Sequence, residues 1–358
     1  LRGQVAEARW RLDDAARHYR AAIAEDRTLA WPHTELARVC LMQFDLEGFR
    51  RHQDAALQLD TTPQLRRRQR LRVTGTHLGQ IWDEFRADTA LGARVAACMA
   101  LDPAMRVSAL RGVLREEPDT LAPSLLLLIA LRQSGQLDRA RPAAGTAIPR
   151  RIVQFWAGDL PDDVAALMDS WRQLHPGWEY CHFDLAGAGE WLSAHAPADV
   201  LRAYVRAGLA AQKADIFRLA YLQTAGGVWA DADDRCIAPL DGLLAPGVRL
   251  LGWQEHFGSL GNNFLAAAAG HPALARALAL ATGAVNRGDA DMPWLATGPG
   301  ALSRALAQEI AADAATLDGL RVLERGEAAR LAVFHCFAAY KRTARHWLRA
   351  ASTRSDTA

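Results

Sequence analysis

The stretch Ala211-Gln-Lys-Ala-Asp-Ile-Phe-Arg218, followed closely by Gly226-Gly-Val-Trp-Ala-Asp-Ala-Asp-Asp-Arg235, carries most of the information about fold and chemistry. The first segment is typical of a helix that ends near Thr224, and two glycines then turn the chain into a short apolar strand. The strand leads to Asp231 and Asp233, which share one side because residues i and i+2 of an extended chain point the same way. The sequence therefore predicts an α/β fold with two carboxylates at a strand end.

Two carboxylates side by side repel each other unless a cation lies between them. A hard divalent ion with oxygen ligands, Mn²⁺ or Mg²⁺, is the natural occupant, and it keeps coordination positions for phosphate oxygens. Asp215 and Arg218 share one face of the preceding helix, where arginine offers a planar fork to a phosphate or carboxylate. A solvated turn is the alternative for an isolated Asp-x-Asp, but the elements before Asp231 and Asp233 favour a metal site.

The chain contains a second Asp-x-Asp, Asp289-Ala-Asp291. It lies in a polar stretch that no apolar strand precedes, and we interpret it as part of the surface. The spacing of two aspartates is therefore a weak signal by itself, and the strand before Asp231 gives the first copy its weight.

The composition excludes several classes of protein. Among 358 residues, 42 lysines and arginines oppose 40 aspartates and glutamates, a net charge of +2 that does not indicate nucleic-acid binding. Five widely spaced cysteines fit neither a disulfide framework nor a zinc site, so we expect free thiols in a reducing compartment. No apolar stretch approaches the roughly 20 residues of a membrane span. We expect a cytoplasmic protein, at most peripheral to a membrane, and the start at Leu1 rather than methionine leaves a preceding segment open.

Residues 1–147 predict an all-α domain of helical repeats. Shifting the sequence by 34 positions aligns the following pairs: Leu12 with Leu46, Ala21 with Ala55, Ala22 with Ala56, Ile23 with Leu57 and Asp26 with Asp60. The period is similar to that of tetratricopeptide repeats. A further copy is predicted from Pro118, which would open a helix, to Ala144, with Gly135-Gln-Leu-Asp-Arg-Ala140 turning into the next helix. The basic run from Arg66 to Arg72 fits a solvated helix face better than a phosphate-binding patch.

Residues 148–358 alternate short apolar strands with helices, which predicts an α/β domain. The predicted strands are Ile152–Trp156, Glu179–Phe183, Val228–Ala230, Arg249–Trp253, Asn263–Ala266 and Leu331–Phe334. The predicted helices are Asp162–Leu174, Ala210–Thr224, Ala273–Val285 and Ala301–Ala311. The small residues of Ala143-Ala-Gly-Thr-Ala147 predict a hinge between the two halves.

The central segment resembles glycosyltransferase family 32, which is related to α-1,6-mannosyltransferases and more distantly to clostridial glucosylating toxins. The family pattern A-x-x-S-D-x-x-R, then G-G-x-Y-x-D-x-D, then P-L-D is matched in order. The matching residues are Ala211, Asp215, Arg218, Gly226-Gly227, Asp231, Asp233 and Pro239-Leu-Asp241. The resemblance implies a GT-A-like nucleotide-sugar-binding domain over residues 148–358.

Further matches extend the resemblance over about residues 148–350. They are Ile148–Trp156, Trp171, His175–Tyr180, Asn263-Phe-Leu265, Gly270-His-Pro272 and Thr297-Gly-Pro299. The chain departs from the pattern at Val153 in place of histidine, Ala214 in place of serine and Trp229 in place of tyrosine. Near the C-terminus, Arg345-His-Trp347 matches the start of the closing segment, but the final S-W is absent.

The resemblance also implies roles for individual side chains. Asp233 would bind the metal directly, and Asp231 would contact the ribose and metal-bound water. Asp215 would hold ribose or sugar hydroxyls. Arg218 would lie near the donor sugar or diphosphate and act as a catalytic residue, stabilising with the metal the charge that grows on the leaving diphosphate. Three further assignments are Trp156 stacking on the base, Asn263 binding the donor sugar and His346 completing the metal site, with His335 as a rival ligand. For these residues, burial in the core or an ordinary surface position is the alternative.

The function implied is a metal-dependent, retaining transfer of a sugar from a UDP- or GDP-sugar to a glycan, lipid or protein, as in polysaccharide biosynthesis. The helical repeats would bind a protein partner or acceptor, or brace the catalytic half. One alternative is a metal-dependent phosphohydrolase, whose first aspartate would be the nucleophile. Another is an interaction protein in which the repeats bind a partner and the α/β half is inactive.

Overall fold

The computed structural model describes residues 1–59, 77–138, 141–289 and 291–342. The chain forms two compact units, each defined by contacts within itself. The helical unit comprises Leu1–Leu137, Glu255–Ser259 and Ile310–Ala312, and the α/β unit comprises Asp138–Gln254, Leu260–Glu309 and Asp313–Ala358. The units meet in the chain at Leu137 and Asp138, ten residues before the predicted boundary. The predicted hinge, Ala143–Ala147, lies in the α/β unit.

The described part of the helical unit contains helices connected by short turns. They are α1 (Arg2–Ala8), α2 (Leu12–Glu25), α3 (Ala30–Met42), α4 (Leu46–Leu59), α5 (His77–Arg86), α6 (Thr89–Met99), α7 (Pro103–Glu116) and α8 (Leu121–Gln133). Consecutive helices from α1 to α4 pack on one another. Helix α8 is buried on nearly all sides, because its leucine-rich sequence offers no polar face to solvent.

The repeat predicted from the 34-residue shift coincides with α2 and α4, whose first residues are 34 positions apart. Small residues of α2, Ala15 and Ala16, are buried and let the helices approach closely. That these hairpins are tetratricopeptide repeats stays a prediction.

The predicted third copy is only partly correct. Helix α8 begins at Leu121 rather than Pro118, and a turn rather than a helix follows Gly135 over residues 135–137. Glycine at position 135 has φ +73°, and such a left-handed residue ends a helix. Asp60, the basic run from Arg66 to Arg72 and residues 139–140 lie outside the described residues.

The α/β unit is built on a six-stranded mixed sheet, which confirms the predicted fold class. Its strands are β1 (Arg151–Phe155), β2 (Glu179–Phe183), β3 (Gly227–Ala230), β5 (Leu250–Gln254), β6 (Leu260–Ala267) and β7 (Leu320–Leu323), and β4 (Arg235–Cys236) pairs separately with β8 (Ala332–Val333). The order across the sheet is β2-β1-β3-β6-β5-β7. Strand β3 runs parallel to β1 and antiparallel to β6, so its end opens in the middle of the sheet.

Helices accompany the sheet of the α/β unit. They are α9 (Asp162–Leu174), α10 (Leu185–His195), α11 (Ala198–Arg206), α12 (Ala210–Ala225), α13 (Pro272–Arg287), α14 (Pro293–Ala296), α15 (Pro299–Ala312) and α16 (Arg325–Leu331), with 3₁₀ turns at Ala314–Leu317 and Ala339–Arg342. The last three residues of α15 are grouped with the helical unit. A core of Ile152, Val228, Phe264 and Trp171 joins sheet to helices, and the Trp171 ring stacks on Phe264 with centroids 5.8 Å apart.

The predicted helices and strands of this half are found within a few residues of their expected ends, apart from the last strand. Leu331 ends α16 and only Ala332–Val333 are extended, so the predicted strand Leu331–Phe334 was too long. Six further elements escaped prediction, most of them short: β4, β7, α10, α11, α14 and α16.

Among the described residues, no helix combines the length and apolar character needed to cross a membrane. The five cysteines are free thiols, as expected from their spacing.

Candidate active site

Two glycines, Gly226 and Gly227, turn the chain into strand β3, which leads to Asp231 and Asp233. Gly226 has φ +65° and Gly227 φ +123°, a region of backbone conformation that other residues seldom adopt. A Cβ at Gly226 would lie 2.9 Å from the backbone nitrogen of Ala269, and one at Gly227 would lie 3.0 Å from the carbonyl oxygen of Arg151. The chain can therefore pass directly from α12 into the centre of the sheet only because both positions lack side chains.

Asp231 follows β3 and is held from two sides. Its Oδ1 accepts hydrogen bonds from Arg218 Nη2 at 2.6 Å and from Trp229 Nε1 at 2.8 Å. Its backbone N–H donates to the carbonyl oxygen of Asn263 on β6 at 2.8 Å. The carboxylate is 29% exposed, so Asp231 is oriented by buried partners and still faces outward.

Asp215 on α12 is the buried end of the same network. Arg218 Nη1 lies 3.1 Å from its Oδ1, which also accepts a hydrogen bond from Asn262 Nδ2 at 2.8 Å. Its Oδ2 accepts from Thr297 Oγ1 at 2.8 Å. Arg218 is 2% exposed and lies over the Trp229 ring at 4.8 Å. The arginine therefore clamps two aspartates from helix and strand, and these contacts direct it inward.

Asp233 lies beside Asp231 and meets the 3₁₀ turn at Ala339–Arg342. Its Oδ2 accepts a hydrogen bond from Tyr340 Oη at 2.8 Å and pairs with Lys341 Nζ at 2.6 Å. The Tyr340 ring in turn meets the half-buried Trp156 edge to face, with centroids 4.9 Å apart. Trp156 Nε1 donates to the carbonyl oxygen of Asp159 at 2.9 Å, so this tryptophan borders the site.

The third acidic residue after the strand, Asp234, is fully buried. Its Oδ2 accepts from Asn263 Nδ2 at 2.6 Å and its Oδ1 from the backbone N–H of His335 at 2.6 Å. Asn263 Oδ1 accepts from Trp253 Nε1 at 2.9 Å. Both ends of the Asn263 amide are therefore occupied by protein, and Asp234 ties β6 and the segment at His335 to the Asp-x-Asp turn.

Burial shifts the protonation of this cluster. Desolvation raises the pKa of Asp215 although the Arg218 charge lowers it. Desolvation also raises the pKa of Asp231, with the Arg218 charge opposing the shift and the Asp233 charge adding to it. The pKa of Asp234 lies well above its ordinary range, because burial is reinforced by the charges of Asp231 and Asp233. Burial and mutual repulsion therefore disfavour the ionised forms of these carboxyl groups, and an added cation would favour them.

A divalent cation fits a cluster in which carboxyl groups outnumber cationic side chains. Within the described residues of the cluster, four carboxyl groups (Asp215, Asp231, Asp233 and Asp234) face two permanent cations, Arg218 and Lys341. Asp231 and Asp233 are the two partly exposed members, with side chains 29% and 14% exposed, and their carboxylate oxygens are the donors that Mg²⁺ and Mn²⁺ prefer. No group of three or more histidine, cysteine or acidic side chains in the described chain is arranged to hold a metal.

The structure brings together most of the residues singled out from sequence: Asp215, Arg218, Asp231, Asp233, Asn263 and, at the border, Trp156. His346 lies outside the described residues. His335 is exposed, and its backbone N–H donates to Asp234 Oδ1; a role as metal ligand stays a prediction.

Sequence reasoning missed four side chains that complete the network: Asp234, Asn262, Tyr340 and Lys341. Two signals could have indicated some of them. Asp234 directly follows the Asp-x-Asp, and Lys341 is one of only two lysines in the chain, the other being Lys213. The pairing of Asn262 with Asp215 had no local signal, because it depends on the register of β6.

A comparison with known protein families finds one match in this part of the chain. A family model described as "Glycosyltransferase sugar-binding region containing DXD motif" matches residues 161–248, which include Asp215, Arg218, Asp231 and Asp233. This segment of the α/β unit is similar to the sugar-binding region of glycosyltransferases. The match supports the broad family named from the sequence, and membership of family 32 in particular stays a prediction.

A solved structure named "PaToxG Glycosyltransferase" is similar to this chain with a TM-score of 0.42 and 16% sequence identity, and the similarity covers 68% of this chain and 97% of that chain. This similarity is too distant for residue roles in that structure to be assigned to residues of this chain. No curated protein matches the chain.

Proposed function

We propose that the protein is a metal-dependent, retaining glycosyltransferase that moves a sugar from a UDP- or GDP-sugar to a glycan, lipid or protein acceptor, as in polysaccharide biosynthesis. The observation that carries this proposal is the pair Asp231 and Asp233 at the open end of β3, within a cluster whose carboxyl groups outnumber its cations. A nucleoside diphosphate is itself negatively charged, so it binds beside aspartates only with added positive charge.

Asp231 and Asp233 would hold Mn²⁺ or Mg²⁺. His346 was predicted as a further ligand. When bound, the ion supplies positive charge that stabilises the leaving diphosphate. Asp215, buried behind the pair, supports Asp231 through their shared partner Arg218.

Arg218 acts in this proposal as a positioning residue rather than as a direct ligand of the diphosphate. Its guanidinium is 3% exposed and bonded to two carboxylates, so contact with donor phosphates would break buried ion pairs. Its contribution is to fix the direction of Asp231 while lowering the cost of holding two aspartates close together.

Retention of anomeric configuration is proposed from the resemblance to family 32, and the side chains around the pair bear on how it would occur. A retaining mechanism through a covalent intermediate needs a free carboxylate as nucleophile. Both oxygens of Asp215 and both of Asp234 accept hydrogen bonds from the protein, and Asp231 and Asp233 are assigned to the ion. We therefore propose that the acceptor attacks on the same face as the departing diphosphate, whose oxygen takes the acceptor proton.

The outer parts of the site are assigned to the donor and acceptor. Trp156 is half-exposed at the border and offers its ring to the nucleotide base. Asn263 was predicted to hold the donor sugar. Its amide is bonded to Trp253 and Asp234, so we assign that contact to its backbone or to its neighbour Asn262. The helical unit is proposed to recruit an acceptor or a protein partner.

Binding of a panel of nucleotide sugars, with and without Mn²⁺, tests the proposal through the melting temperature. We expect one UDP- or GDP-sugar to raise it only with metal, and the double variant Asp231→Asn, Asp233→Asn to abolish that rise. The second Asp-x-Asp provides a matched control: Asp289 pairs with Arg287 in a loop after α13, so Asp289→Asn, Asp291→Asn should behave like wild type.

Two outcomes would replace the proposal. Release of inorganic phosphate without a glycoside product would favour the phosphohydrolase, although Asp231, its required nucleophile, is bonded to Arg218 and Trp229. Absence of any metal-dependent binding would favour an inactive α/β half that serves the helical unit.

A further inference from the structure

We propose that Lys341 takes the place of the metal ion at Asp233 in the metal-free protein and exchanges this carboxylate for the donor diphosphate when the ion binds. This inference rests on the proposed function. It assigns a second cation for the leaving group, since the buried Arg218 already serves two aspartates.

The position of Lys341 is fixed by the backbone around it. Its backbone N–H donates to the carbonyl oxygen of Ala338 at 3.1 Å, and that of Ala339 donates to Asp163 Oδ2 at 2.8 Å. Earlier in the same segment, the backbone N–H of Cys336 donates to the carbonyl oxygen of Asp233 at 3.0 Å. The segment before Lys341 is therefore hydrogen-bonded to the backbone of Asp233, the residue whose carboxylate the ammonium group contacts. These backbone hydrogen bonds hold Lys341 close to Asp233.

The ammonium group and a divalent ion compete for one carboxylate. Lys341 Nζ lies 2.6 Å from Asp233 Oδ2, which also accepts the Tyr340 hydroxyl. An ion bound to Asp233 would lie within a few ångströms of the ammonium group, where like charges repel strongly. Metal binding therefore weakens the Lys341–Asp233 pair and frees the side chain.

The Lys341 side chain is more accessible than that of Arg218, the other described cation of the cluster. Lys341 is 17% exposed and Asp233 is 14% exposed, whereas Arg218 is 3% exposed. Among the described cations of the cluster, Lys341 is thus the one that can turn outward. Lysine suits such an exchange because its point charge is carried on a flexible four-carbon stem, whereas an arginine fork is committed to one geometry.

The two halves of the exchange predict effects of opposite sign for Lys341→Met in the full chain. Affinity for Mn²⁺ alone should rise by several fold, because the ion no longer displaces a cation. Affinity for UDP or GDP, whichever the wild type binds, at saturating Mn²⁺ should fall by about tenfold, because a charge-assisted contact to phosphate is lost. Isothermal titration calorimetry measures both constants without any turnover.

Three further variants make the test decisive. Lys341→Gln should reproduce both signs, which guards against an effect peculiar to methionine. Lys341→Arg keeps the charge and should retain more nucleotide affinity than either neutral variant. Arg330→Met removes a cation from an exposed position of α16 in the same unit and should change neither constant.

The inference is overturned if the neutral Lys341 variants bind Mn²⁺ more weakly than wild type, or if they bind the nucleotide with unchanged affinity. Its failure is distinguishable from that of the proposed function. A wild-type protein that binds neither UDP nor GDP with Mn²⁺ overturns the proposed function and this inference together.

Discussion

Each unit of the protein buries carboxylates against an arginine, and the two clusters differ in charge balance. In the helical unit, Glu7 accepts hydrogen bonds from Arg38 Nε and Nη2, both at 2.8 Å, and from Tyr19 Oη at 3.0 Å, with His256 Nδ1 at 3.4 Å. Burial alone would raise the pKa of Glu7, but hydrogen bonds from His256, Arg38 and Tyr19 lower it to about 2.

The aspartates of the α/β unit show the opposite behaviour. Asp215, Asp231 and Asp234 have raised pKa values, because burial and neighbouring carboxylates outweigh the help of Arg218. A buried carboxylate whose partners satisfy it stabilises the fold, whereas a group of them in excess is costly without an added cation. We therefore expect Glu7 to serve structure and the aspartate cluster to serve binding.

The largest expected effect concerns the aspartate cluster. We expect Asp233→Asn to lower the rate of sugar transfer by about a thousandfold, because a charge that holds the metal is lost. Steady-state kinetics with the donor found in the binding panel measures this. A variant with near wild-type activity would show that Asp233 is not a metal ligand. The aspartate cluster would then not differ in function from the cluster around Glu7.

The next largest effect concerns the helical cluster. We expect Glu7→Gln to lower the free energy of unfolding by about 3 kcal/mol, the value of a pKa lowered from 4.5 to about 2. Urea denaturation of the full chain gives this value, and sugar transfer below the melting temperature should stay close to wild type. A large loss of transfer with unchanged stability would instead place Glu7 in the functional machinery.

The pH dependence of stability has a definite sign for Glu7. Its pKa is lowered on folding, so its contribution is complete well above pH 4.5 and is lost as the pH falls towards 2. Between pH 7 and pH 3 wild type should lose about 2 kcal/mol more stability than Glu7→Gln. Denaturation curves of both proteins at several pH values test this, and parallel losses would contradict it.

The smallest effect returns to Asp233. In the absence of divalent ions, Asp233→Asn should change the free energy of unfolding by less than about 1 kcal/mol, because the lost ion pair with the partly exposed Lys341 is offset by relief from neighbouring carboxylates. Mn²⁺ should then stabilise wild type and leave the variant unchanged. A loss of several kcal/mol without metal would make the aspartate cluster a structural device like that of Glu7.

Much of the α/β unit could be predicted because its signals are local. The alternation of apolar strands and helices indicated the fold class, and the two glycines marked the turn before Asp231 and Asp233. Asp215 and Arg218 could be placed on one helix face because the helical period fixes neighbours three residues apart. The elements that were missed, such as α10 and α16, are short or lack a clear apolar period.

Long-range partners could not be predicted in the same way. Asn262 and Thr297 reach Asp215 from 47 and 82 positions away, and Lys341 reaches Asp233 from far along the chain. Arg38 finds Glu7 across a separation of 31 positions. None of these distances leaves a period in the sequence, because they depend on strand register and on how helices pack.

The sequence by itself determined the secondary structure around the site, the delivery of two aspartates by one strand and the acidic character of the pair. The tertiary structure decided which charges balance them. It directed Arg218 inward to Asp231 and paired Lys341 with Asp233. It also buried Asp234, which accepts hydrogen bonds from Asn263 on β6 and from the backbone N–H of His335. The physical reason is that local geometry follows from backbone periods, whereas charge balance depends on the side chains that folding brings within a few ångströms.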